Sequence, residues 1–281
     1  MKVRIMAIAN LTEDSFHAPS RLLGKGGAVD IPGTVSRIGQ MIMDGADIID
    51  IGASSSRPGT GPGDPEVEWA RIGAVLPPLL EAFPDITVSI DTIHSSVISR
   101  AAQIVPGDRL IANDITAGLY DPDMVPLCAR LDLGYVAMHM KPSPHTRPFI
   151  GSDEAPEGDI IDMEINFFRQ FERRAGEAGL KDWILDPGFG FGLSIEENYR
   201  VLDRLEDFKV FDRPILAGLS RKSMIYKPLG LGPEDVLSQT QVLNAMAVER
   251  GAAILRVHDV KETAKTLQLL RLTPSSRHQS S

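Results

Sequence analysis

The chain has 281 residues, 43% of them hydrophobic and 24% charged, which is ample for a large core and suits an α/β barrel, a fold that commonly runs to about 250 residues as one unit. Its formal net charge of −9 argues against a general affinity for nucleic acid, because a phosphate backbone is held by clustered Lys and Arg. No apolar stretch reaches the roughly 18 residues of a membrane span, so no membrane or secretion segment is expected.

Short apolar β-rich runs alternate with longer stretches of helical period, the pattern of parallel strands joined by crossover helices. The first run, residues 3–9, ends at Asn10 and leads into a long loop, residues 12–31. Val35, Ile38, Met41 and Ile42 then share one helical face. The second run, residues 48–51, is followed by a loop rich in Gly and Pro over residues 54–65. The third, residues 87–90, ends at Asp91, and Thr92 or Ser95 is expected to cap the helix after it. The fourth, residues 109–112, ends at Asn113 and Asp114. Cys128, a lone cysteine that can form no intramolecular disulfide and fits a reducing cytoplasm, is expected as core filler.

The fifth run, residues 135–138, precedes His139, which is expected to be a hydrogen-bonded structural residue, and a third long loop, residues 141–158. Ile165, Phe168 and Phe171 mark the next helix. After the sixth run, residues 183–185, comes DPGFGFG at residues 186–192: an acid at a strand end and three glycines where backbone must pass close to something. Phe189 and Phe191 read equally well as core and as stacking faces. The seventh run, residues 214–217, leads to Ser220, Arg221 and Lys222, with Leu243, Met246 and Ala247 striping a later helix. The eighth, residues 253–255, leads to Arg256 and His258, whose alternate spacing would project both side chains the same way. A last helix is expected at residues 260–272, and His17, His94 and His145 are expected at the surface. Eight β-then-α units without a long polar linker predict a single-domain α/β fold, a closed (β/α)8 TIM barrel over residues 1–273, rather than an open doubly wound sheet; residues 274–281 form a small polar tail expected to be disordered.

A barrel brings the polar residues after its strands around one mouth. Asp91, Asp114 and Asp186, with the Asn113 amide, suit a flat heterocycle carrying N–H donors. Arg57, Arg221, Lys222, Arg256 and His258 suit an anion such as phosphate or carboxylate. The implied ligand is a heterocycle joined to an anionic group.

The segments IANLTEDSF, IDIGASSSRPG, SIDT, NDI, MH, ILDPGFGFG, GLSRKS and RVHDV, in this order across residues 8–260, resemble those of the dihydropteroate synthase family of folate biosynthesis. The resemblance implies a (β/α)8 barrel that joins dihydropterin pyrophosphate to p-aminobenzoate, with Mg2+ as cofactor, in the cytoplasm and as a homodimer. Carried over, it implies that Asp91, Asn113, Asp186 and Lys222 bind the pterin, with Met138, Phe191 and Gly218 packed around it. Asn10, Ser56, Arg57, Arg256 and His258 would take the pyrophosphate, and Asn10 would also serve Mg2+. Phe16, Pro58, Ser220 and Arg221 would receive p-aminobenzoate, with Asp14, Ser15 and Phe16 in one closing loop and Ser56, Arg57 and Pro58 in another. Lys222, Asp91, Asp186 and Arg256 would carry catalysis.

Four positions depart from the family's pattern: Glu13 stands for proline, Ala53-Ser54 for Gly-Glu, Ser56 for threonine and Leu193 for lysine. None is a pterin position, so turnover is less firmly expected than pterin binding. Two other readings stay open: a pterin-binding barrel without synthase activity, regulatory or presenting a methyl-pterin, and a barrel enzyme using Mg2+ and aspartates on phosphorylated sugars.

Overall fold

The computed structural model describes residues 2–11, 29–54, 61–152, 154 and 157–272. Eight strands, β1 (Arg4–Asn10), β2 (Ile48–Gly52), β3 (Thr87–Asp91), β4 (Leu110–Asp114), β5 (Gly134–Met138), β6 (Trp183–Asp186), β7 (Ile215–Ala217) and β8 (Ala252–Val257), pair in sequence order, and β8 closes on β1. All the pairs are parallel. The closed ring settles the choice against an open sheet.

The helices are α1 (Ile31–Met43), α2 (Pro65–Ala82), α3 (Ser95–Ala101), α4 (Met124–Arg130), α5 (Arg147–Ile150), α6 (Ile160–Ala178), α7 (Ile195–Asp203), α8 (Ser223–Leu229), α9 (Leu237–Glu249) and α10 (Val260–Leu272). The final helix has the expected bounds. The β5–β6 and β7–β8 connections each hold one helix more than the simple repeat, the short α5 and α8. Several helices begin where a side chain satisfies the open backbone N–H groups of a first turn. Asp30, Asp64 and Asp159 accept from Gly33, Glu66 and Ile161, and Ser194 and Glu197 form a reciprocal capping box on α7. At α3 the cap position is His94, without a side-chain cap bond, and not Thr92 or Ser95 as expected. Among the described residues no helix is long and apolar enough to cross a membrane.

The two-residue period of the strands sorts the core into two layers. One set of side chains, including Ile5, Ala7, Ile49, Ile51, Val88, Tyr135, Trp183 and Leu255, packs outward against the helices' apolar stripes, among them Ile38, Met41, Phe168, Phe171, Leu243 and Ala247. The other set fills the barrel. Met6, Ile48, Ile111, Val136, Ile184, Leu216, Ala253 and Ile254 form a separate buried cluster, a dry plug. Two residues further along six of these strands stand Ile8, Asp50, Asn113, Met138, Asp186 and Arg256. The chemistry is therefore one pleat above an apolar floor.

The glycines after β6 are explained by contact. A side chain on Gly188 would put its Cβ 1.8 Å from the His139 carbonyl oxygen, and one on Gly192 would come 2.2 Å from that of Lys141. The loop lies against the continuation of β5, fixed by hydrogen bonds from His139 N to Asp186 O (2.9 Å) and from Lys141 N to Phe191 O (3.2 Å). Gly188 also has φ +73°, where L side chains are strained. Gly188→Ala is expected to lower unfolding free energy by roughly 2 kcal/mol or more, since strain and overlap add, as read from urea denaturation.

Candidate active site

An ion-pair network that links three strands organises the mouth. Asp50, fully buried on β2, accepts from Ser89 Oγ (2.5 Å), from Asn113 Nδ2 (3.3 Å to each oxygen) and from Arg256 Nε (2.7 Å). Arg256 in turn donates from Nη2 to Asp91 Oδ2 at 2.6 Å. The guanidinium thus lies between an acid from β2 and an acid from β3, and its pKa rises further above the ordinary arginine value despite burial, because both carboxylates favour its charge. Burial pushes the Asp91 carboxyl up to about 7, with Arg256 pulling the other way. At the end of β1, the Asn10 side-chain oxygen lies near Gly52, and the Asp91 side chain lies near the same glycine.

Across the mouth stand Asp186 and Lys222. Burial raises the Asp186 pKa, opposed by the charge of Lys222 and by a hydrogen bond from Gly188 N at 2.8 Å. The Lys222 ammonium donates to the Phe189 carbonyl and lies 4.8 Å from the centre of the Phe191 ring. Gly218 lies beside it: a Cβ there would come 3.7 Å from Nζ, an ordinary contact. Ile93, Ile115, Met138, Met140 and Phe149 form an apolar wall, with Phe191 packed against it. A pocket opens beside Asp91 between Ser54, Thr92, Ile93, Ile115 and Phe149. Flat apolar surfaces with a few aimed polar groups are what a planar ring needs for burial with its edge hydrogen bonds satisfied.

The open question about the two phenylalanines is settled by position. Phe189 is fully buried in the outer core and Phe191 is half-buried at the mouth. Ser220, mostly buried, accepts from the His258 backbone N–H at 3.3 Å, which holds these two residues together. His139 is buried and its ring packs on Phe167, but its Nδ1, 3.3 Å from Glu164 Oε1, does not form the hydrogen bond expected of it. Burial raises the Glu164 carboxyl to about 7. Cys128 is core filler as expected, and burial pushes its thiol up to about 12.

Three expectations need correction. Asp114 does not face the mouth. It follows Asn113 on a strand, so it points outward, where it accepts from Thr116 N and Oγ1, Gly118 N and Tyr135 OH at 2.7 to 2.8 Å. Arg221 does not offer its charge to an anion, because its guanidinium is engaged twice by Asp259 (2.8 and 2.9 Å) and by the carbonyls of Pro233 and Glu234. His94 is buried rather than at the surface, with Nε2 2.8 Å from the Gly63 carbonyl oxygen. Glu13, Asp14, Ser15, Phe16, His17, Ser56, Arg57 and Pro58 lie outside the described residues. Sequence reasoning missed Asp50 and Glu68; the signal for Asp50 was an acid in the middle of the apolar run IIDIG.

A closed barrel with aspartates, an amide, an apolar wall and two half-buried cations at the carboxyl ends of its strands defines a class: barrels that hold a flat, nitrogen-rich ring beside an anion. The family model described as pterin binding enzyme matches residues 6–258, and the chain belongs to that family and, within it, to the dihydropteroate synthases. It is 36% identical over 277 residues to the dihydropteroate synthase of Escherichia coli strain K12, covering 97% of this chain and 92% of that one. Its fold matches the crystal structure of Yersinia pestis dihydropteroate synthase in a sulfonamide drug complex, with a TM-score of 0.84 and 30% identity over 96% of this chain and 94% of the other. It also matches the Xanthomonas albilineans enzyme with 4-aminobenzoic acid, with a TM-score of 0.82 and 31% identity over 97% and 94% of the two chains.

Two outcomes follow from the mouth's electrostatics. Asp50→Ala removes one of two carboxylates from a buried guanidinium and is expected to cost about 3 kcal/mol of stability, the scale for breaking a buried pair, measured by chemical denaturation. Burial brings Lys222 down from 10.5 to about 8. With its folded value below the ordinary one, the buried ammonium costs stability at neutral pH, and this cost disappears as pH rises from about 8 towards 10.5. Affinity for 7,8-dihydropteroate is expected to fall above about pH 8, where the ammonium is lost, whereas in Lys222→Arg, always charged, that limb is absent. Fluorescence titration across pH distinguishes the two proteins.

Proposed function

We infer that the chain condenses 6-hydroxymethyl-7,8-dihydropterin pyrophosphate with p-aminobenzoate, giving 7,8-dihydropteroate and pyrophosphate, an alkyl-group transfer in folate biosynthesis. The observation that carries this reading is the convergence of Asp91, Asn113, Asp186 and Lys222 on one mouth with Arg256. Asp91, Asn113 and Asp186 bind the N–H edge of the pterin, while Met138 and Phe191 cover its faces beside Gly218. Lys222 donates to a ring acceptor.

Pyrophosphate departs with the electron pair of the C–O bond, leaving a cationic methylene on the pterin. The arylamine nitrogen then forms the new C–N bond and gives up a proton. Aspartates near the ring favour that cation, and Arg256 with His258 favours the departing anion, so each charge develops opposite a group already in place. Ser56 and Arg57 assist at the pyrophosphate. Phe16, Pro58, Ser220 and Arg221 receive p-aminobenzoate; given its bonds to Asp259, Arg221 does so by packing rather than by free charge. No protein nucleophile takes part.

Mg2+ belongs to this reading. Asn10, an uncharged oxygen donor at the mouth, fits an ion that takes few protein ligands and completes its shell with phosphate oxygens and water. When bound it neutralises charge on the pyrophosphate. The enzyme works in the cytoplasm as a homodimer, which would cover apolar side chains such as Leu229 and Val242 that α8 and α9 leave exposed. A pterin-binding barrel without synthase activity would have no need of the pair that serves the pyrophosphate, and Arg256 and His258 both stand at the carboxyl end of β8.

The test is pyrophosphate release by the purified protein with dihydropterin pyrophosphate and Mg2+, with and without p-aminobenzoate, together with detection of dihydropteroate. Release coupled to product is expected, and pterin binding without turnover would refute the synthase. Lys222→Ala and Asp186→Ala are expected to abolish turnover with circular dichroism unchanged; an unfolded variant would count against these assignments.

A further inference from the structure

Behind the turn that carries Asp186 stand two buried titratable groups that the transfer does not use. Glu164 falls on the face of α6 that buries Ile160, Ile161, Phe168, Phe171 and Ala175, and it is 0% exposed. Its Oε1 lies 3.3 Å from Nδ1 of His139, the residue that follows β5. Among the described residues neither oxygen of Glu164 nor that nitrogen has a hydrogen-bond partner. An ionised carboxylate left so, out of water, is costly, whereas a proton on the carboxyl removes the charge and can be donated to Nδ1, which serves both groups at once. Burial lifts the Glu164 carboxyl to about 7; His139 works against the rise, while Asp186 on β6 and Glu197 on α7 add to it. Glu197 is itself paired with Lys141, at 2.6 Å.

The main chain of His139 reaches the other way. Its N–H donates to Asp186 O at 2.9 Å, and a Cβ on Gly188 would come 1.8 Å from its carbonyl oxygen. On either side of it, Met138 and Met140 belong to the apolar wall. One residue therefore meets Glu164 through its ring and the Asp186 turn through its backbone. The two carboxyls also feel one another's charge. Such coupling is reciprocal, so a proton kept by Glu164 makes it easier for Asp186 to stay ionised.

We propose that Glu164, acting through His139, is a positioning residue for pterin binding: a proton kept on this pair leaves Asp186 ionised to accept from the ring and holds the end of β5 against α6. The inference rests on the placing of the pterin beside Asp186.

Fluorescence titration of the full chain with 7,8-dihydropteroate, from about pH 6 to about pH 8, tests it. Glu164→Gln is uncharged at every pH and can still donate to Nδ1. Asp91 and Lys222 titrate in both proteins, so the ratio of the wild-type Kd to that of Glu164→Gln isolates Glu164. This ratio is expected to be near one at the acid end and to rise about five-fold at the alkaline end, a single linked proton allowing at most about tenfold per pH unit. The ratio against Glu164→Leu should rise with pH in the same way, and it decides the matter if Glu164→Gln does not fold. Glu164→Leu, unable to bond Nδ1, should also bind more weakly than Glu164→Gln throughout. A ratio independent of pH overturns the proposal, as does equal binding by the Leu and Gln variants, and both leave the pterin reading intact. A wild-type protein that does not bind dihydropteroate overturns that reading and the inference with it.

Discussion

Arg256 is tolerable where it stands only because two carboxylates meet it. A guanidinium with little access to water is strongly penalised unless its charge is compensated and its N–H groups are bonded. Asp50 and Asp91 supply both from neighbouring strands, and β1 lies between them and β8. The pairing thus crosses the seam where the last strand closes on the first. It also occupies Asp50 so that Asn113 and Ser89 orient around it, which makes the polar layer a connected structure rather than separate side chains over an apolar plug.

The charges at the mouth are balanced closely. Asp50, Asp91 and Asp186 face Arg256 and Lys222, so full ionisation leaves one negative charge in excess in a place with little water. The upward shifts of Asp91 and Asp186 and the downward shift of Lys222 share burial as their largest cause. A ring that brings N–H donors to the acids and an acceptor to the ammonium substitutes for the missing water without adding a further full charge.

Periodicity made the barrel legible in the sequence, and its eight runs and last helix were within a residue or two of the observed elements. The same period carried more than was taken from it. Asn113 and Asp114 are adjacent on one strand, so only one of them can face inward; Phe189 and Phe191 lie in the turn after β6, where that period gives no guidance. Asp50 was hidden because its neighbours are all apolar, although an acid two residues beyond Ile48 on a buried strand must point into the barrel. Glu68 and Arg221 could not be placed from spacing, because their partners, Thr92 and Asp259, come from other segments of the chain. Propensity reports which residues are in an element; the partner across a turn is a tertiary fact.

The inward residues two steps above the plug come from β1, β2, β4, β5, β6 and β8, and β3 adds Asp91. No run of consecutive strands short of nearly the whole ring contains the pocket, so half a barrel, even a folded one, would carry fragments of recognition and no binding site. Binding for this reason presupposes a closed ring. A ligand seated on these side chains draws its affinity from the intact circle, and it returns that free energy as protection of every strand at once, including those it never touches.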